Sequence, residues 1–378
     1  MRVRFLRFLT CFIMIVLLCC ISGGMPVSAE EPAVAAKAFV LIDAKTCQIV
    51  CGRSEHEKRP MASTTKIMTV LLTLESGGLD DPFVVDAEAI RVEGSSMGLR
   101  TGDVVTKRVL CAGMLLPSGN DAANAAAVAV AGSIPAFLKM MNARAQEIGM
   151  TRTCFATPSG LDADGHGASA YDMALLARTA LQNPDFAAIC SQTVMTVSFG
   201  NPPYPRTLTN TNKLLSRDPG IIGVKTGFTD AAGRCLVSAC ERDGRRLICV
   251  TLFDRSDWED HLALYDYGFS AAAPFVPPLP SHLQVAAEGG AEHTLPVYAK
   301  ESLTLTAWRG IPPVYTETVL LPPFVTAPIA KGTQIGQLIY RAENGTEIAC
   351  LPLYSAIDLP FAEPEQPPKR RKNAPILP

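Results

Sequence analysis

Two short runs near the start of the chain have the composition of β-strands. Residues 38–43 and 48–53 are rich in apolar and β-branched side chains, and four residues join them, which favours a β-hairpin. At residues 60–74 a proline and several hydroxyl residues precede an apolar run, a pattern typical of a helix start. Apolar residues then recur at helical spacing to about residue 215, most clearly in NDAANAAAVAVAG and DMALLARTAL, so we expect mainly helices there.

Strand-like patterns return after residue 220. Residues 221–226 form an apolar run, and two further runs flank Asp243-Gly244, a dipeptide that favours a tight hairpin turn. Residues 257–269 are predicted to form a helix. Because strands lie at both ends of this region and helices lie between them, we expect one antiparallel sheet with helices on both faces.

A proline-rich joint at residues 271–282 precedes a region of a different kind. Residues 283–358 contain short alternating runs, and Asn344-Gly345 is a hairpin turn signal that also begins a glycosylation sequon; the turn is the favoured interpretation. The sequence therefore predicts an α+β domain at residues 30–272, followed by a small all-β domain at residues 273–358.

Both ends of the chain differ from these regions. Residues 1–29 begin with three arginines, continue with an apolar run and end in small residues, which predicts a signal peptide cleaved before Glu30. An uncleaved N-terminal anchor and a lipidated Cys20 are the alternatives. Residues 359–378 are rich in proline, carry a basic cluster at residues 369–372 and are expected to be disordered.

Composition narrows the classes of function. The 378 residues carry a formal net charge of −2, so nothing in the charge favours nucleic acid as a partner. The five histidines lack metal-ligand spacing, and we expect neither a metal site nor a cofactor. Nine of the twelve cysteines lie outside the predicted leader, an odd number, so at least one has no partner within the chain. Most lie in apolar runs as buried thiols; a disulfide among Cys47, Cys51, Cys235 and Cys240 stays open.

Ser63 and Lys66 are three residues apart in PMASTTKIMT, at the predicted start of a helix. Positions i and i+3 share a helix face, so the amine can reach the hydroxyl. A lysine can activate a serine if its pKa falls, through burial, a second cation or the positive end of a helix dipole. An ordinary core helix would show the same spacing, so this motif is weak by itself.

Two further motifs follow along the chain. In PSGND, Ser118 and Asn120 flank a glycine in a turn between helices, either as helix caps or as a proton relay and a substrate-orienting amide. In GVKTGFTD, Lys225 lies within an apolar strand, either exposed or positioned with Thr226 to bind an anion. Gly227 permits close approach to the strand edge.

Ser-x-x-Lys, Ser-x-Asn and Lys-Thr-Gly occur in this order, and each lies in the structural context that its role requires. The set resembles that of class A β-lactamases and penicillin-binding proteins. Residues 34–270 are similar to the D-alanyl-D-alanine carboxypeptidases, the low-molecular-mass penicillin-binding serine peptidases, and residues 283–358 resemble the usual C-terminal module of that family. The resemblance implies a β-lactamase/transpeptidase-like fold for residues 30–272.

The resemblance also implies the chemistry. Ser63 would form an acyl-enzyme with the penultimate D-alanine of a peptidoglycan stem pentapeptide, with Lys66 as general base and Ser118 as proton shuttle. The terminal D-alanine would leave and water would hydrolyse the ester, whereas penicillin would stall the acyl-enzyme. Backbone N–H groups of Ser63 and Phe228 would form the oxyanion hole.

Binding roles follow from the same resemblance. Asn120 would orient the substrate, and Lys225, Thr226 and Gly227 would form the strand that binds the terminal carboxylate of the peptide, with Arg255 as a further candidate. The implied partners are stem peptides as substrates and β-lactams as inhibitors, outside a bacterial cytoplasmic membrane.

Two departures from the family pattern matter. Ala168 and Ser169 replace the Ser-Thr of a His-x-Ser-Thr-Ala-x-Asp segment, and we expect a structural effect there rather than a lost function. The prolines of the tail also exclude most of a C-terminal amphipathic helix. Its basic cluster predicts only a weak, salt-sensitive attachment to a membrane or wall surface.

Rival functions fit the sequence less well. A class A β-lactamase would need a glutamate for deacylation, and there is no Glu-x-x-x-Asn between Asn120 and Lys225. A penicillin sensor without turnover would need signalling segments that span the membrane, and a non-catalytic wall-binding protein would not need the three motifs. A DD-endopeptidase would use the same site and stays open as an alternative.

Overall fold

The computed structural model describes residues 30–281 and 283–362, and these residues form two compact units. The first unit comprises the described residues up to 44 together with 49–273 and 308–311, and the second comprises 45–48, 274–307 and the described residues from 312. The predicted signal peptide, residues 1–29, and residues 363–378 of the predicted disordered tail lie outside the described residues.

The first unit contains helices throughout its middle region. The helices are α1 Lys66–Glu75, α2 Lys107–Leu115, α3 Asn120–Ala131, α4 Ile134–Ile148, α5 Ala170–Ala180, α6 Pro184–Cys190 and α7 Asp257–Ser270, with 3-10 turns at Ala62–Thr65 and Lys213–Ser216.

The strands flank this helical region and continue into the second unit. They are β1 Ala38–Asp43, β2 Ile49–Arg53, β3 Phe83–Val84, β4 Val104–Val105, β5 Val194–Gly200, β6 Pro203–Thr209, β7 Ile221–Thr229, β8 Gly233–Arg242, β9 Arg245–Leu252, β10 Ala272–Phe275, β11 Gln284–Glu288, β12 Thr294–Ala299, β13 Leu305–Trp308, β14 Tyr315–Leu320, β15 Phe324–Thr326, β16 Gln334–Ala342 and β17 Glu347–Ser355.

The central sheet of the first unit has the order β2-β1-β9-β8-β7 and is antiparallel throughout. Alternate residues of β8 point to opposite faces. Val237 packs into the core formed with the middle helices, whereas Leu236 packs into a second core that contains Leu264 of α7. The prediction of one antiparallel sheet covered by helices on both faces is therefore confirmed.

The predicted hairpins are also present. β1 and β2 pair, and so do β8 and β9, whose turn residues Asp243 and Gly244 both have positive φ, as a primed hairpin turn requires. β7 continues to Thr229, three residues beyond the predicted run, so the Lys-Thr-Gly motif lies inside the strand rather than at its end.

The helical prediction was wrong for residues 194–209. A β-hairpin of β5 and β6 lies there, and it joins β3 and β4 in a four-stranded sheet. The segment VMTVSFG alternates with a period of two and is followed by Asn201, Pro202 and Pro203, features that favour a hairpin over a helix.

The second unit contains a six-stranded sheet with the order β14-β16-β17-β12-β11-β15. Its core includes Leu295, Tyr340 and Leu353. β16 and β17 are joined at the predicted turn, where Gly345 has a φ of +83°. The prediction of a small all-β domain is confirmed.

The cysteines of the central sheet behave as buried thiols. Cys235 and Cys240 lie on β8 but face different cores, and across the described residues no disulfide is formed. Burial raises the pKa of Cys235 to about 12 and that of Cys240 to about 11. Both thiols are therefore protonated at neutral pH and unreactive.

No helix within residues 30–281 and 283–362 has both the length and the apolar composition to cross a bilayer by itself. Only α3 and α4 taken together meet these two criteria, and they are bent by 87° at their junction.

The loop between α4 and α5 packs against the turn that carries Ser63. The Thr69 hydroxyl donates to the Pro158 carbonyl at 2.6 Å. Gly160 has a φ of +89°, and a Cβ added there would lie 2.0 Å from the Ala62 carbonyl oxygen. Ala62 itself has a positive φ of 48°, so a strained backbone next to Ser63 is held by a glycine that leaves no room for a side chain.

Replacing Gly160 by alanine should destabilise the first unit by at least about 3 kcal/mol, because a left-handed conformation costs about 1–2 kcal/mol and the backbone clash adds to it. Gly165 is a matched control in the same loop. It has a φ of +73° and no atom within 4 Å of an added Cβ, so Gly165→Ala should lose only about 1 kcal/mol. Urea titration of both variants measures the difference, and equal losses would contradict the packing argument.

Candidate active site

An open groove of about 430 Å³ lies along β7 in the first unit. Its walls are Ser63, Ser95, Ser118, Thr211, Thr226, Gly227, Phe228, Arg234, Asp257 and Trp258. Four of the seven residues predicted for the site line the groove, and the other three, Lys66, Asn120 and Lys225, are buried. Three motifs far apart in sequence therefore meet at this groove or immediately behind it.

Ser63 lies in a 3-10 turn, and α1 begins only at Lys66. The sequence predicted an α-helix from Ser63 or Thr64, but the 3-10 geometry serves the pair equally well because residues i and i+3 eclipse one another in it. Lys66 Nζ lies 2.8 Å from Ser63 Oγ.

The Lys66 amine has three hydrogen-bond partners. Besides Ser63 Oγ, its Nζ contacts Asn120 Oδ1 at 2.7 Å and the Ser159 carbonyl at 2.6 Å. The last two atoms can only accept hydrogen bonds, so they occupy the two N–H groups of a neutral amine. The lone pair of that amine is then directed at the hydroxyl of Ser63.

The surroundings favour this neutral form. Burial lowers the pKa of Lys66 well below its usual value, and the nearby Lys225 lowers it further, whereas Asp121 opposes the shift. Burial and a second cation were two of the three causes expected from the sequence. The lowered pKa favours the neutral amine, which is the form that can take a proton from Ser63.

The Ser-x-Asn motif forms the turn before α3. Ser118 has a φ of +66° and faces the groove. Asn120 is held at both ends of its side chain, because Oδ1 accepts from Lys66 and Nδ2 donates to the Glu93 carbonyl at 2.7 Å. Asn120 thus positions the lysine, a function that the sequence did not predict.

Asp121 organises the adjacent wall of the groove. Its two oxygens accept hydrogen bonds from the Ser96 hydroxyl and from the backbone N–H groups of Met97, Gly98 and Leu99, at 2.6–3.1 Å. The sequence analysis gave Asp121 no role in the site. The unusual density of glycine and serine in GSSMGLRTGD was the one available signal.

The Lys-Thr-Gly strand packs directly against the serine turn. Burial lowers the pKa of Lys225 to about 7, and its Nζ donates to the Thr226 carbonyl at 2.8 Å. A Cβ on Gly227 would lie 2.9 Å from the backbone nitrogen of Ser63. Because Gly227 has no side chain, the 3-10 turn that carries Ser63 can approach β7 closely. The Ser63 N–H therefore lies beside the strand.

His166 supports the same turn from behind. Its Nδ1 accepts from the Ala156 N–H at 3.1 Å, so Nε2 carries the proton and donates to the Thr65 hydroxyl at 2.9 Å. That hydroxyl donates to the Ala62 carbonyl at 2.8 Å. Burial lowers the pKa of His166 to about 4, so this chain of hydrogen bonds contains a neutral imidazole at neutral pH.

Ser169, one of the two departures from the family pattern, caps α5 by accepting from the Asp172 N–H at 3.1 Å. A hydroxyl thus remains at this helix N-terminus and satisfies a backbone donor.

Five groove residues were missed by the sequence interpretation: Ser95, Thr211, Arg234, Asp257 and Trp258. Thr211 Oγ1 lies 2.7 Å from Thr226 Oγ1, and Arg234 forms an ion pair with Asp257. Arg255, the arginine suggested from the sequence, is exposed and does not line the groove.

Histidine, cysteine, aspartate and glutamate side chains are the usual ligands of metal ions in proteins. In the part of the chain that the structure describes, no three of them converge to hold an ion.

The chain is similar in sequence to known proteins. The chain is 35% identical over 257 residues to the D-alanyl-D-alanine carboxypeptidase DacB2 of Mycobacterium tuberculosis, covering 66% of this chain and 86% of that protein. It is 30% identical over 343 residues to DacF of Bacillus subtilis, another D-alanyl-D-alanine carboxypeptidase, covering 87% of each. A D-alanyl-D-alanine endopeptidase of Escherichia coli matches at 32% over 214 residues, covering 56% of this chain and 68% of that protein.

Solved structures are similar to this chain in fold as well as in sequence. The D-alanyl-D-alanine carboxypeptidase DacD from Francisella tularensis superposes with a TM-score of 0.65 at 26% identity, covering 90% of this chain and 97% of that chain. The family model for D-alanyl-D-alanine carboxypeptidase (peptidase S11) matches residues 25–256, and the model for the C-terminal domain of penicillin-binding protein 5 matches residues 282–360. Because the first model covers more than half of the chain, the chain belongs to the D-alanyl-D-alanine carboxypeptidase family of serine peptidases.

Proposed function

We propose that this chain is a serine-type D-Ala-D-Ala carboxypeptidase that removes the terminal D-alanine from peptidoglycan stem pentapeptides. The observation that carries the proposal is the contact between Ser63 Oγ and the buried amine of Lys66, at the side of a groove whose other wall is the Lys-Thr-Gly strand. We assign the peptidase activity to residues 30–272 and regard residues 273–358 as a separate β-domain.

Acylation begins with proton transfer. The Ser63 hydroxyl gives its proton to the neutral Lys66 amine while Oγ attacks the carbonyl carbon of the penultimate D-alanine. The negative charge that develops on the carbonyl oxygen is stabilised by the backbone N–H groups of Ser63 and Phe228. The C–N bond then breaks as Ser118 gives its proton to the departing amine of the terminal D-alanine and takes the proton held by Lys66, which leaves Lys66 neutral again.

Deacylation reverses the roles of the same groups. A water molecule gives a proton to Lys66 while its oxygen attacks the ester carbonyl. Lys66 then returns this proton to Ser63 Oγ as the ester bond breaks, which restores the serine hydroxyl and releases the shortened peptide. Asn120 keeps the lysine in place through both steps and can direct its second N–H group towards the substrate amide. A β-lactam acylates Ser63 in the same manner, but its leaving group stays attached, so hydrolysis is slow and the enzyme is inhibited.

The strand residues bind the end of the peptide. Lys225 supplies a positive charge, Thr226 a hydroxyl and Gly227 the space in which the serine turn approaches. A bound carboxylate would raise the pKa of Lys225, because an opposite charge favours the protonated amine.

We propose export to the bacterial cell wall or the outer face of the cytoplasmic membrane, after cleavage of the predicted signal peptide. The basic cluster at residues 369–372 would add only weak attachment to an anionic surface, about 1 kcal/mol per charge.

Ser63→Ala should abolish activity. With a stem pentapeptide that ends in D-Ala-D-Ala, release of free D-alanine should fall by at least about 1,000-fold, and labelling by penicillin should disappear, because no other group can form the acyl-enzyme. Ser191→Ala, outside the groove, is the matched control and should retain both. Penicillin labelling of the native enzyme without D-alanine release would instead point to an endopeptidase or to a sensor without turnover.

The rate should also depend on pH in a way that separates the two lysines. The kcat/KM value should rise with pH as Lys66 loses its proton, and it should fall above about pH 7 as the free enzyme loses the charge on Lys225. Lys225→Arg keeps a positive charge at all working pH values, so the descending limb should move well above pH 7 in this variant. An unchanged profile would remove Lys225 from carboxylate binding.

Attachment through the tail should be weak. Replacement of Lys369, Arg370, Arg371 and Lys372 by glutamine should abolish sedimentation of the full chain with anionic lipid vesicles at low salt. The unaltered chain should itself dissociate at about 0.3 M salt, because screening shortens the reach of surface charges. Binding that persists in the glutamine variant would assign attachment to another part of the chain.

A further inference from the structure

The peptide group between Ala62 and Ser63 is enclosed on two sides. A Cβ added to Gly227 of β7 would lie 2.9 Å from the Ser63 nitrogen. A Cβ added to Gly160 would lie 2.0 Å from the Ala62 carbonyl oxygen. A trans peptide group is planar, and its N–H and C=O point in opposite directions. Any rotation that moves the Ala62 carbonyl therefore also turns the Ser63 N–H, one of the two donors of the proposed oxyanion hole.

The backbone at this peptide group is strained. Ala62 has a φ of +48°, a conformation that residues with a side chain rarely adopt. Strained conformations of this kind persist only where the surrounding contacts enforce them. The direction of the Ser63 N–H therefore depends on the contacts that hold the Ala62 carbonyl.

Two buried side chains hold that carbonyl. The fully buried Thr65 hydroxyl donates to the Ala62 carbonyl oxygen at 2.8 Å. His166 is 8% exposed and donates from Nε2 to the same hydroxyl at 2.9 Å, because its Nδ1 accepts from the Ala156 N–H. The hydrogen bond from the imidazole occupies one side of the Thr65 oxygen and leaves the single hydroxyl proton for the carbonyl.

The contact with His166 separates Thr65 from an ordinary helical threonine. Threonine hydroxyls often bond to a carbonyl one turn earlier, and Thr73 does so within α1, where it donates to the Thr69 carbonyl at 2.6 Å. Thr73 is as fully buried as Thr65. The Thr65 hydroxyl differs because a side chain 101 residues away in sequence orients it, and because its acceptor belongs to the strained Ala62.

We propose that Thr65, oriented by His166, is a positioning residue for the oxyanion hole. It holds the Ala62 carbonyl so that the N–H of the same peptide group points at the developing negative charge. The inference rests on the proposed function, since this charge forms only when Ser63 attacks a substrate. Both side chains are buried behind the groove, so they act through the backbone and not by contact with the substrate.

Two substrates that differ in one atom separate this role from an effect on Lys66, the next residue in the chain. A disturbed base slows attack on any carbonyl, whereas a misdirected N–H slows only reactions in which it binds an oxyanion. Sulfur is a weaker hydrogen-bond acceptor than oxygen. Both substrates are N-acylated D-Ala-D-lactate esters, and the D-alanine carbonyl is C=O in one and C=S in the other. Release of D-lactate is measured for each, relative to its rate of alkaline hydrolysis.

The native enzyme should prefer the oxygen ester by at least about 100-fold, since one oxyanion donor contributes a factor of about 100 to 1,000. Thr65→Val removes the hydroxyl but keeps the shape of the side chain. It should lower the single-turnover acylation rate with the oxygen ester by about 10- to 100-fold and that with the sulfur ester by less than about threefold. A Thr65→Val enzyme with the native preference would overturn the proposal, even if both rates had fallen.

Thr73→Val is the matched control, because it removes an equally buried hydroxyl from the same helix, and it should keep the native preference. Thr65→Ser retains the hydroxyl and should keep the preference within about threefold of the native value. If Thr65→Val were not to fold, Thr65→Cys would take its place, because a thiol is only a weak donor. Its preference for oxygen should also fall, and a native preference would overturn the proposal.

A cycle of two substitutions tests the part given to His166. His166→Phe should lower the preference for oxygen by less than Thr65→Val does, because the Thr65 hydroxyl remains but is no longer oriented. In the Thr65→Val background the same substitution should change the preference by less than about twofold, since His166 acts only through that hydroxyl. A further large fall there, or a native preference in His166→Phe alone, would contradict the role given to His166.

The outcomes distinguish this inference from the proposed function. A native enzyme that releases no D-lactate from the oxygen ester contradicts the proposed function itself. A native enzyme that releases D-lactate in a Ser63-dependent manner, together with a Thr65→Val variant of unchanged preference, contradicts only the role given to Thr65 and His166.

Discussion

The burial of one amine is the constraint on which the site depends. Lys66 is fully buried, and its Nζ contacts Ser63, Asn120 and the Ser159 carbonyl within 2.8 Å. A charged amine in this position would be strongly disfavoured, whereas a neutral one satisfies two acceptors and leaves its lone pair for the serine. The same burial that would destabilise a protonated lysine thus favours the neutral form that our proposed mechanism needs as a base.

The surrounding structure buries the Lys66 amine and holds it in position. Asn120 opens α3 and reaches back to Glu93, while Gly160 and Gly227 let a loop and a strand approach the serine turn more closely than any side chain would allow. Each of these contacts joins residues distant in sequence. The helices and the central sheet must therefore be assembled before Ser63 and Lys66 acquire their chemistry.

The sequence predicted the elements better than it predicted their contacts. The hairpins, the antiparallel sheet and the β-domain follow from local patterns, and the three motifs are recognisable from spacing alone. The hairpin at residues 194–209 was missed because its neighbours are helical. Asp121 and His166 act through partners that only the fold brings near. Arg255 was suggested from the sequence and Arg234 was not, since no local pattern reveals that Arg234 pairs with Phe228 of β7 and lines the groove.

The two lysines also show how stability and function are balanced here. When the pKa of a lysine is lower in the folded state, the unfolded chain binds more protons at pH values between the folded and the unfolded pKa. The free energy of unfolding therefore rises with pH across that interval. For Lys225 the range extends from about 7 to its usual value of 10.5, and its burial opposes folding at neutral pH by about 4 kcal/mol. Apolar burial in the core around α1 and β7 must offset this unfavourable free energy of burying Lys225. In our proposal, the two buried lysines supply a base and a titratable charge, so the fold bears the free-energy cost of burial at the residues that the reaction uses.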